Sequence, residues 1–162
     1  MLRTALLAVV FAAGCVSAAS AATLYFKADM TAAAEVPPKM SHGTGTVLAT
    51  LDTDSKTLSY KVTWENLTGP AMAAHFHGPA PKGKNAGVQV PIDGKMPTSP
   101  VFGSKMLSDD QIKQIEAGMW YVNVHTKANP GGEIRGQVWM EHAAAPKAAA
   151  KPMPAMPMKK SP

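Results

Sequence analysis

Between residues 23 and 142 the chain repeatedly alternates apolar and polar side chains, the period of a half-buried strand. In TLSYKVTWENL, Leu58, Tyr60, Val62 and Trp64 share one face, and Ser59, Lys61, Thr63 and Glu65 share the other. The runs LYFKADM, GTGTVLATLD, MAAHFHG, AGVQVPI, MWYVNVHT and GEIRGQVWM read similarly and are bounded by Gly, Pro, Asn or Asp. A turn over 52–56 predicts a hairpin between strands at 44–51 and 57–66, and TKANPGGE predicts another between 119–126 and 132–140. One segment departs from this period. SDDQIKQIEAG offers Ser108 as N-cap, Asp109 and Asp110 in the first turn and Gln111 at the third position. Ile112 and Ile115 lie on one face, and Gly118 stands where a helix would stop. The pattern therefore predicts an all-β, antiparallel sandwich or barrel-like domain with one short helix over about 108–117.

The ends read differently. MLR followed by ALLAVVFAAG and VSAASAA has the charged start, apolar run and small-residue cleavage zone of an export signal over residues 1–22. The apolar run is too short for a membrane span. Cys15 in AAGC resembles a lipoprotein signature but lacks the usual leucine, because Ala12 stands three residues upstream. The reading is periplasmic or secreted protein, with a lipid anchor through Cys15 as the alternative and a bacterial source favoured. The last stretch, 143–162, is rich in Pro, Ala, Lys and Met and reads as a disordered or polyproline-like tail after a single domain over 23–142.

Charge adds one exclusion. Setting aside Arg3 and the tail's Lys147, Lys151, Lys159 and Lys160, the 16 basic residues fall to the same number as the 11 acidic ones. The net +5 thus belongs to the ends, and a neutral body argues against nucleic acid as a partner. Once the signal has gone the domain holds no cysteine, so its stability rests on its core, or on a core and a metal.

AAAEVPP, AHFHGPAPKGKNAGVQV, LSDDQIKQIEAGMWYVNVHT and NPGGEIRGQV occur in an order that resembles the CHRD domain, named after chordin. The resemblance covers roughly residues 24 to 140. It implies a β-sandwich-like fold of the kind that also occurs alone in exported bacterial proteins, and it implies no particular activity.

Histidines carry the candidate chemistry. His75 and His77, in HFHGP, project to one side of an extended chain, and Phe76 projects to the other. On MWYVNVHT, Trp120, Val122 and Val124 belong to the core, while Tyr121, Asn123 and His125 share a more polar face. Glu133, Arg135 and Gln137 would meet that face across the hairpin. If the two strand ends are neighbours, three imidazoles converge on one rim and can share a copper or zinc ion. His42 is the natural fourth ligand; Met40 and Met72 are nearby in sequence, and a thioether would favour copper(I). Tyr121, Asn123, Glu133 and Arg135 are placed to orient the imidazoles. Met153, Met156 and Met158 in the tail, with His142 beside Met140, offer further soft donors.

The bland alternative is that His75 and His77 hydrogen-bond loop carbonyls around Gly78-Pro79, and that His125, Glu133 and Arg135 form a structural polar cluster. Enzyme chemistry finds little support. There is no GxSxG and no phosphate-cradling glycine loop, and the paired carboxylates of a hydrolase cleft are not evident, since the acids mostly fall on turns or at the helix start. His-x-His on a sandwich superficially resembles copper-zinc superoxide dismutase, but the further bridging histidine, the zinc cluster and the disulfide of that enzyme are missing. Two readings remain: an exported protein that binds copper, with zinc as the alternative, for storage, buffering or transfer, and a non-metal interaction module that meets another envelope or secreted protein.

Overall fold

The structure, a computed structural model, describes residues 22–92 and 94–141. The readings of an export signal, of Cys15, and of His142 and the tail methionines Met153, Met156 and Met158 fall outside these residues. Among those described, nine strands form one antiparallel, nearly closed, barrel-like sheet. They are β1 (Thr23–Thr31), β2 (Thr44–Asp52), β3 (Thr57–Glu65), β4 (Ala71–His77), β5 (Val88–Pro91), β6 (Val101–Met106), β7 (Tyr121–Thr126), β8 (Ile134–Gln137) and β9 (Trp139–Glu141). Their order across the sheet is β5-β4-β7-β8-β1-β2-β3-β6, and β9 pairs with β1.

The predicted first hairpin is present. β2 and β3 pair in continuous register from Thr44↔Glu65 to Asp52↔Thr57, and the Asp52 carboxylate accepts hydrogen bonds from the Asp54 and Ser55 amides to close the turn. Alternation then sends Val47, Ala49 and Leu51 of β2 and Leu58, Tyr60 and Val62 of β3 into the core, where they meet Phe26, Ala28 and Met30 of β1.

The second hairpin differs from the expectation. The run 132–140 divides at Val138, whose buried backbone N–H bonds the Trp120 carbonyl. Beyond it the chain leaves β7 and pairs with β1 as β9. A nearly closed sheet needs such a corner, because one strand cannot follow two curved neighbours along its whole length.

The helix α1 (Asp109–Glu116) begins with the reciprocal cap that its sequence announces. The Gln111 amide donates to Ser108 Oγ at 3.3 Å, and Gln111 Oε1 accepts from the Ser108 amide at 3.0 Å. It seats Ile115 in the core, and Gly118 ends it at φ +68°, a left-handed turn that glycine takes without strain. Gln114 then accepts a hydrogen bond from the Trp120 indole at 3.1 Å, which anchors the start of β7. No helix among the described residues is long and apolar enough to cross a membrane.

Candidate metal centre

β4 presents its two faces as its sequence dictates. Ala74 and Phe76 enter the core, Phe76 edge-on to Tyr60 at 5.2 Å, while His75 and His77 stand on the outer face with ring centroids 5.5 Å apart. The third imidazole arrives from β7, the antiparallel neighbour of β4. His125 pairs with Ala73, His75 with Asn123, and His77 with Tyr121. Because alanine opposite His125 leaves space, the imidazole leans across the diagonal, and its Nε2 comes 3.1 Å from His75 Nδ1. One nitrogen from each of His75, His77 and His125 lies within 4.8 Å of the others.

Hydrogen bonds decide which nitrogens are available. His77 Nδ1 is 3.0 Å from the Ala86 carbonyl, and His125 Nδ1 is 2.9 Å from the Pro130 carbonyl. A carbonyl only accepts, so both Nδ1 atoms carry the proton and both Nε2 atoms expose a lone pair. His77 Nε2 is buried and has no hydrogen-bond partner. The His75 Nδ1–H donates to His125 Nε2, and that proton must move to the other ring nitrogen when a cation enters between them. Two nitrogens bound to one ion at about 2.0–2.1 Å stand roughly 2.9–3.4 Å apart for angles from square to tetrahedral. The His75–His125 pair is already at that spacing, and His77, with a nitrogen within 4.8 Å of both, would have to draw closer to join them on one ion.

Burial holds the cluster neutral. Desolvation first, then the neighbouring His125 and His77 rings, push the His75 pKa down to about 4. His77 and His125 are also lowered, chiefly by burial and against the opposing pull of their carbonyl partners. All three rings therefore offer lone pairs at neutral pH, the form that a metal binds.

A second layer positions His77. The Arg135 guanidinium lies 3.5 Å from the centroid of the Tyr121 ring, and Tyr121 in turn stacks on His77 at 4.9 Å with planes 6° apart. Arg135 also donates to Asn85 Oδ1 at 2.7 Å and to the Lys84 carbonyl at 2.6 Å, and Tyr121 Oη accepts from the Ala86 amide at 3.1 Å. These bonds pin the loop over 78–87 across the outer face. Tyr121, placed by alternation on a polar face, is consequently buried beneath it, and Asn123 on the same face is buried beside Glu35. Gly78 lets that loop close, because a Cβ there would collide with the Trp120 ring.

Two predicted participants are elsewhere. His42 is exposed on the chain before β2 and lies outside the cluster. Glu133 orients no imidazole. It is fully buried, with Oε1 accepting from the Ser41 hydroxyl and the Thr68 amide, and Oε2 from Thr68 and Thr126 hydroxyls and Asn129. Gly132, at φ +125°, turns the chain just before β8, so strand alternation does not govern where Glu133 points. The contributions of Ala86, Pro130 and Asn85 were not read from the sequence. Main-chain carbonyls leave no residue-type signal, and only their place near the HFHGP and NPGG motifs could have drawn attention to them. Glu35, in AAAEVPP, was also unassigned; it is buried beside Asn123, and desolvation raises its pKa.

Searches of curated proteins and of solved structures found no match. A family model, that of the CHRD domain, matches residues 26–138, from the first core residue of β1 to the corner before β9, and includes all three clustered histidines. The chain belongs to the CHRD domain family.

Proposed function

We propose that this is an exported copper-binding protein that buffers, stores or passes on the ion through His75, His77 and His125. The observation that carries the reading is the convergence of three neutral imidazoles, two of them with Nδ1 held by backbone carbonyls so that Nε2 keeps its lone pair. Neutral nitrogen donors without a carboxylate suit copper and zinc and disfavour calcium and magnesium. Between the first two, copper(II) binds nitrogen sites more tightly at equal availability, and zinc is the alternative. Outside the cytosol a site of this kind meets copper without reducing thiols around it, which fits the export signal read at residues 1–22. The role in this reading is binding rather than catalysis.

The test is metal retention. Purified protein is dialysed against excess copper and then against a competing chelator, and it should keep about one equivalent, as expected for a single cluster. The double variant His75→Ala, His77→Ala should keep none and still unfold cooperatively. Wild-type protein that emerges metal-free overturns the reading and favours an interaction module.

A further inference from the structure

We propose that Met72 is the fourth donor of this centre and selects copper(I); the assignment rests on the metal-binding reading above. The observation is a fault in the alternation of β4. Ala74 and Phe76 point inward, so strict alternation would send Met72 inward as well. Ala71 is buried in its place, and Met72 is 45% exposed, because the pairing of β4 with β7 slips between Ala71 and Ala73. Such a bulge re-aims one side chain without disturbing the strand beyond it. It moves Met72 to the outer side, where it lines a cleft of about 410 Å³ together with Ala73, His75, His125, Lys127 and Pro130.

The cleft defines the open side of the centre. His75 and His125 line this cleft together with Met72, and the buried His77 does not, so an ion that reaches the cluster through the cleft meets the Met72 side chain on its open side. No carboxylate among the described residues lines that space. Thr126 also lines it, but its hydroxyl is engaged with Glu133, and the side-chain donor left beside the imidazoles is the thioether, a soft ligand that favours copper(I) over zinc(II). The Lys127 ammonium at the same cleft acts in the same direction, since it repels a dication more than a monocation.

The experiment compares wild type with Met72→Leu, which keeps the apolar volume and loses the donor. Copper(I) affinity is measured anaerobically against a bicinchoninate competitor, zinc(II) affinity against a chromogenic zinc chelator, and copper coordination by X-ray absorption. Met72→Leu should weaken copper(I) about tenfold or more while changing zinc(II) by less than about threefold, and should remove a sulfur scatterer that the wild type shows. Equal changes for both ions, or a sulfur scatterer that survives in Met72→Leu, overturn the assignment and leave the three histidines in place. Wild-type protein that binds neither ion overturns the histidine reading, and this assignment with it.

Discussion

Two polar clusters meet the end of the same strand, and adjacent residues lead into them. His125 joins the imidazoles on the outer face of the sheet, while Thr126 turns the other way and donates to Glu133 at 2.6 Å. Around Glu133 each carboxylate oxygen has its donors: hydroxyls from Ser41, Thr68 and Thr126, the Thr68 amide and the Asn129 side chain. Burial by itself would raise its pKa, but these hydrogen bonds prevail and hold it at about 2. Around the histidines the balance is reversed. Lone pairs converge, His77 Nε2 is buried without a partner, and the only bond between rings is one that a cation would replace. A buried polar group that is fully satisfied has a structural explanation; converging imidazole lone pairs form a cluster that could hold a metal ion.

The largest effect should come from spoiling the satisfied cluster. Glu133→Gln offers one acceptor oxygen where five donors now converge, and turns an amide donor towards some of them. It should destabilise the domain by about 2–4 kcal/mol, because hydrogen bonds to a charge are lost and donors remain buried without partners. Urea unfolding measures this. The variant should still retain copper at low urea, since Glu133 touches no imidazole. A variant as stable as wild type would show that the carboxylate network contributes little, and the contrast between the clusters would fail.

The reverse substitution tests the other cluster. His125→Ala removes the bond to the Pro130 carbonyl and the contact with His75, and should destabilise the metal-free domain by only about 1 kcal/mol. Copper retention should nevertheless disappear. A large loss of stability would mean that the imidazoles are a structural cluster, the bland alternative that their sequence also allows.

What the sequence made legible follows the range of the interactions. The β2–β3 hairpin, the capped helix and the shared face of His75 and His77 depend on residues a few positions apart, and each is present. The meeting of His125 with His75 depends on β4 and β7 lying side by side with Ala73 opposite His125, 52 residues away along the chain. Alternation could state that meeting only as a condition. Glu133 was misplaced because alternation was carried one residue too far, past the turn at Gly132. His42 offers itself as a fourth ligand by its place just before a strand, but a position in sequence does not fold an exposed residue onto a distant face. Alternation puts Tyr121 and Asn123 on a more polar face; Tyr121 is covered there by a loop that Arg135 holds from β8, and Asn123 is buried beside Glu35.

The finest separation of the two clusters is in pH. Each contains groups whose folded pKa lies below the unfolded value, so the unfolded chain binds more protons and stability falls as pH falls. The windows differ. For His75 the loss runs from its ordinary value of 6.5 down to about 4, with His77 and His125 acting in the same direction; for Glu133 it runs from 4.5 down to about 2. The urea midpoint of metal-free protein should therefore decline gently below pH 6.5 and continue to decline below 4.5. Removing His75 as His75→Ala should flatten the upper part of this profile and leave the lower part, and Glu133→Gln should do the opposite. Bound copper should stabilise the domain most above pH 6.5, and the increment should shrink towards pH 4 as protons take the lone pairs. Because the rings resist protonation, copper should still be held at pH 6, where an exposed histidine is largely charged. Release already complete at pH 6 would mean that the imidazoles protonate like free histidines, and that the burial which keeps them ready for a cation is not effective in solution.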